Sequence, residues 1–118
     1  MGTQQPDAHG ESAVGIRSRA EVVHAREALE GLPPGHSRQT RIAQGALAAY
    51  RWALGVEAAS PITGARGGGS PALPLLTAEV DAAAVQLEGT ARDTAARDYI
   101  QGVHTALAWI CGHIDQRP

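Results

Sequence analysis

The sequence predicts an all-α fold: a four-helix bundle built from two similar helical hairpins joined by a Gly/Pro-rich linker. Three observations lead there. The 118 residues include 23 Ala and no Phe, and only Tyr50, Trp52, Tyr99 and Trp109 supply large aromatic volume. Such side chains cannot fill a sandwich or barrel interior, but they suit closely packed helices. Apolar residues recur at helical spacing in stretches punctuated by Gly and Pro, and the stretches of the two halves align with one another.

Residues 1–15 have no periodicity and contain helix breakers, so a disordered N-terminal tail is expected there. The single helical domain then spans 16–118. Its first hairpin, 17–56, opens with Val22, Val23, Ala25, Ala28 and Leu29 at helical spacing. Ser18 is placed to cap this helix with Glu21 as its capping-box partner, and Gly31 with Pro33–Pro34 ends it. Ser37 is the expected cap of a second helix running through Trp52 to about Val56.

Residues 57–76 concentrate Gly and Pro and read as a flexible linker, with Pro61-Ile62-Thr63-Gly64 able to dock on the helices. The Gly67–Gly69 run is no phosphate-binding loop, because no Gly-Lys-Ser/Thr follows and no strand precedes it. The second hairpin, 77–114, is expected to start at Thr77, with Leu76 as a hydrophobic staple. Val80, Ala84, Leu87 and Ala91 share one helical face. The stronger series Ala96, Ile100, Val103, Leu107, Ile110, Ile114 falls nearly opposite. One continuous helix would leave a stripe exposed or need partners on both sides, so a break is expected at Gly89, with Thr90 capping and Asp93 third in the next helix.

An internal repeat fits this break. Glu21–Gly31 aligns without gaps on Glu79–Gly89 at an offset of 58, with six identities, and Gln44–Gly55 aligns on Gln101–Gly112 at an offset of 57, with five. Ala matches carry little weight in this composition; the register of the only two Trp residues carries more. Gly45, Ala49 and Trp52 then share a stripe that Gly102, Ala106 and Trp109 repeat. A mid-helix Gly costs about 1 kcal/mol against Ala. Close approach of another backbone would justify it, so the second and fourth helices are expected to cross at Gly45 and Gly102 around a pseudo-twofold axis.

Charge and chemistry exclude more than they identify. The net charge is −2, and all ten basic residues are Arg, as a GC-rich genome favours. Residues 17–57 hold six Arg against four acids, and 75–118 hold three against six, so the halves carry +2 and −3. Opposite signs favour docking within one chain or between two. Lone Cys111 cannot form an intrachain disulfide, and neither it nor His9, His24, His36, His104 and His113 shows metal-site spacing. No cofactor, metal or catalytic residue is expected. The absence of a signal peptide or membrane-length apolar run predicts a cytoplasmic protein with no membrane contact.

The function expected is therefore a non-catalytic interaction or regulatory protein, a homodimer or a binder of another protein. Nucleic-acid binding through Arg38, Arg41 and Arg51 on the second helix is one alternative. A small-molecule binder or enzyme with a pocket near Tyr50, Trp52, Tyr99 and Trp109 is another.

Overall fold

The computed structural model describes residues 13–33, 35–67, 69–89 and 93–117. Among them are four helices, α1 Arg19–Glu30, α2 Arg38–Ala53, α3 Leu73–Gly89 and α4 Thr94–Ile110. A minimal hairpin precedes them, β1 Ala13–Val14 and β2 Arg17–Ser18, paired antiparallel with Val14 opposite Arg17. The protein is thus mostly helical, with packing compatible with a bundle.

The helix boundaries follow from local chemistry. Ser18 accepts from the Glu21 amide at 3.1 Å while Glu21 accepts from the Ser18 amide at 2.9 Å, a reciprocal capping box. These bonds hold the Glu21 carboxyl below its ordinary pKa. Ser37 caps α2 through the Thr40 amide at 3.1 Å. Helices α2 and α4 end alike. Gly55 and Gly112 take left-handed conformations (φ +84° and +83°), and their amides donate to the Trp52 and Trp109 carbonyls at 3.0 and 3.1 Å.

Three boundaries differ from expectation. Helix α3 begins at Leu73, not Thr77. Pro74 fits its first turn, where a missing amide hydrogen costs nothing. Leu76 therefore lies inside the helix and is fully buried, and Thr77 donates to Cys111 Sγ (3.8 Å) instead of capping. Asp93, not Thr90, caps α4 by accepting from the Ala96 amide at 3.0 Å; Thr90 and Ala91 lie outside the described residues. Residues 13–15 of the expected tail are ordered in the hairpin, with Val14 buried, and residues 1–12 lie outside the described residues.

That hairpin has a physical task. A helix end leaves carbonyls without intrahelical partners. The Ile16 amide donates to the Ile110 carbonyl at 3.0 Å, and Arg17 donates from Nε to Trp109 O and from Nη2 to Ile114 O, each at 2.8 Å. Its guanidinium also lies 4.7 Å from the centre of the Trp109 ring. Arg19 serves α2 in the same way, donating to Leu54 O at 3.2 Å.

The core lies along α2 and α4, whose mutual contact is the most extensive in the molecule. Helix α1 packs against α2 through Val22 and Ala25, and α3 against α4 through Leu76, Val80 and Ala83.

Between α2 and α3 the Gly/Pro-rich stretch is hydrogen-bonded. Ala59 bridges Arg66, and the Ser60 amide donates to Ala65 O at 2.9 Å. The enclosed turn is held by the buried carboxylate of Glu79, which accepts from the Ile62 amide (2.5 Å), the Thr63 amide (3.1 Å) and the Thr63 hydroxyl (2.9 Å). Ile62 packs on the core, as its apolar side chain among turn residues suggests.

Candidate functional site

The stripe formed by Gly45, Ala49, Trp52, Gly102, Ala106 and Trp109 is buried throughout. A Cβ at Gly45 would overlap the Tyr99 carbonyl and stand 3.1 Å from the Val103 nitrogen. One at Gly102 would overlap the Ile42 carbonyl and stand 2.9 Å from the Ala46 nitrogen. The two backbones meet where neither carries a side chain.

Beside this crossing, Asp98 is buried and binds Arg41 through Oδ2, at 3.0 Å from Nε and 2.7 Å from Nη2. Arg41 also donates from Nη1 to the His36 carbonyl. Arg38 Nε lies 3.4 Å from Asp98 Oδ1, with its side chain 72% exposed. Arg51 pairs with Glu30 at 3.0 Å. All three arginines considered for nucleic-acid contact thus face carboxylates of their own chain, which lowers the positive field a phosphate backbone would meet.

The aromatic residues do not line a common pocket among the described residues. Tyr50, Trp52 and Trp109 belong to the core, with Tyr50 edge-on to Trp109 at 6.2 Å between ring centres. The Tyr50 hydroxyl is buried without a hydrogen-bond partner, and burial pushes its pKa up to about 12 against a small opposing effect of Arg117. Tyr99 alone reaches a cleft, of about 250 Å³, beside Arg51, Glu57 and Pro61; burial, then the Glu57 charge, raises its pKa.

No family model, curated protein or solved structure matches this chain. Function must therefore be argued from surfaces. Among the described residues no group of three or more His, Cys, Asp or Glu could hold a metal ion, and no helix is long and apolar enough to cross a membrane. Burial lowers the His104 pKa, helped by His113, and burial raises that of Cys111. Neither residue is thereby an activated base or thiolate.

Two surface features remain. The first is the outer face of α3. Leu75, Ala78, Ala82 and Val85 form a stripe roughly opposite the buried face, with Leu75 50% and Val85 68% exposed. The second is a groove of about 480 Å³ between α1 and α2, where Leu29, Leu32, Ala43 and Leu47 alternate with polar side chains that include Gln39, Gln44 and the Glu30–Arg51 pair. Leu32 is 53% exposed there.

The sequence reading missed Asp98, Glu79 and Arg17. Asp98 stands 57 positions after Arg41, so the alignment offset could have revealed it. Nothing in the local pattern marks the other two.

Proposed function

We propose that this chain is a non-catalytic, internally duplicated helical interaction protein of the cytoplasm that self-associates through the outer face of α3. Duplication is supported by the crossing itself. Gly45 meets the backbone of Tyr99 and Val103, Gly102 meets that of Ile42 and Ala46, and each of these three residues of α4 stands 57 positions after its counterpart in α2, as Asp98 does after its ion-pair partner Arg41. The matching Gly55 and Gly112 helix ends keep the same offset. Two hairpins related by a pseudo-twofold axis, with the Gly/Pro-rich stretch as their link, account for all of these.

The observation that carries the function is where the two copies differ. At the offset of 58, the stripe of exposed Leu75, Ala78 and Val85 with half-buried Ala82 corresponds to Arg17, Ala20, His24 and Glu27 of the first copy. On α1 itself the exposed His24 and Glu27 stand where α3 has Ala82 and Val85, while Arg17, the counterpart of Leu75, lies before the helix and is engaged at the end of α4. A solvated helix face gains nothing from Leu and Val, whereas a face that becomes covered gains about 25 cal/mol for each Å² of apolar surface removed from water.

Sedimentation velocity over a range of concentrations tests the reading. The wild-type chain should gain mass with concentration, and Val85→Glu should stay monomeric. Glu27→Ala, at the corresponding place in α1, should behave as wild type. A wild-type chain that is monomeric throughout overturns self-association.

A further inference from the structure

Helices α1 and α3 begin where α2 and α4 end. Arg19, at the start of α1, donates to Leu54 O, and the hairpin lies on the end of α4, where a Cβ at Gly112 would stand 2.6 Å from Ile16 Cδ1. Just ahead of α3, the Ser70 hydroxyl donates to Ala53 O at 2.6 Å, and Thr77 in its first turns reaches Cys111 Sγ. Seven large apolar side chains are exposed among the described residues, and five of them, Ile16, Val56, Leu73, Leu75 and Ile114, belong to this end of the bundle. We infer that this end packs against the same end of a second copy of this chain, as the continuation of the α3 contact surface. The inference rests on the self-association proposed above, because Leu75 belongs to both surfaces, and it adds that the hairpin enters the contact.

Ile16 says most. It stands between β1 and β2 at the tip of the hairpin, where Gly, Asn, Asp and Ser are the usual residues. The hairpin is held by other groups, Val14 in the core and Arg17 on the α4 carbonyls. More than half of the Ile16 side chain stays in water, and so does Val56 beyond the end of α2. A single exposed apolar residue needs no explanation, whereas a group gathered on one surface marks a contact.

Charge favours a second copy as the occupant. Exposed Arg19 and Glu21 in the first turn of α1, with exposed Asp115 and Arg117 just after Ile114, supply two charges of each sign at this end. None of the four forms an ion pair among the described residues. Balanced charge of this kind complements itself across a twofold axis, where a base of one copy can meet an acid of the other. A nucleic acid or an anionic lipid surface would instead be repelled by both acids.

Ile16→Asp and Val56→Asp test this by sedimentation velocity, with Leu32→Asp, an exposed leucine away from this end, as the control. Aspartate suits a turn, and Val56 lies on a different segment, so the pair remains informative if one variant loosens its surroundings; circular dichroism and thermal melts check that each is folded. Both should need about tenfold or more higher concentration than wild type to associate, and Leu32→Asp should associate as wild type does. If Ile16→Asp and Val56→Asp associate like wild type while Val85→Glu is monomeric, this inference is overturned and the α3 reading stands. If the wild type is monomeric at every concentration, both fall. A monomeric wild type that co-sediments with phosphatidylserine vesicles would assign this end to a lipid surface and overturn the inference in that way.

Discussion

Gly45 and Gly102 show how much can depend on an absent methyl group. Alanine at either position would gain about 1 kcal/mol in helix propensity. It would also drive a Cβ into the facing carbonyl of Tyr99 or Ile42, a backbone atom that cannot turn aside. Overpacking of this kind typically costs about 1–3 kcal/mol. Gly45→Ala and Gly102→Ala should therefore each lower the urea midpoint; a raised midpoint would mean that α2 and α4 do not touch there. Tyr50 makes the opposite case. Its hydroxyl is buried with no partner, so Tyr50→Phe should keep or raise stability at neutral pH, by up to about 1 kcal/mol. Its pH behaviour has a definite sign. An unfolded tyrosine loses its proton near pH ~10, and Tyr50 in the folded chain holds its proton to about 12. The associated stabilisation is fully present below the lower value and lost as pH rises through the upper one. Unfolding midpoints measured across this window should fall less steeply in Tyr50→Phe than in wild type, the remainder coming from Tyr99, whose pKa is also raised.

At the scale of elements, Glu79 joins α3 to the Ser60–Ala65 turn. Its carboxylate accepts three hydrogen bonds there, and Glu79→Ala would leave those donors without an acceptor. A loss of about 2–3 kcal/mol is expected, on the scale of hydrogen bonds to a charged group. The Ile62 and Thr63 amides should exchange hydrogen faster than in wild type, and unchanged exchange would show that the turn stands without Glu79. What could be read in advance about the elements divides along a physical line. Caps at Ser18 and Ser37 were legible because a side chain and a backbone group a few residues apart settle them, and the helix end at Gly89 because the apolar series on either side of it fall on different helical faces. The Val14–Arg17 hairpin was not, because what orders it is the far end of α4, donated to by Ile16 and Arg17. The start of α3 was misplaced for a related reason. Pro74 punctuates a sequence in isolation, yet in a first turn it is compatible with helix, and burial of Leu76 favours a helix that starts before Thr77. The candidate surface was not legible: the two opposed apolar faces beyond Thr77 are reconciled by a break at Gly89, neither contains Leu75, Ala78, Ala82 or Val85, and which residues stay uncovered depends on how α3 lies against α4.

Across the whole molecule, the two hairpins agree where they meet and differ where they face outward. Gly45 and Gly102 meet equivalent backbone positions, Tyr99 and Val103 against Ile42 and Ala46, related by an offset of 57, while the outer stripe of α3 has Ala82 and Val85 where α1 has His24 and Glu27. Interior agreement is what packing demands; exterior divergence is where a binding surface can develop. A small domain buries a limited share of its surface, and association with a second copy would add to it. The most direct test is the sedimented mass of the full chain against its Val85→Glu variant as concentration rises. The account predicts a mass that climbs with concentration for the wild type and stays at that of one chain for the variant; equal behaviour of the two would contradict it.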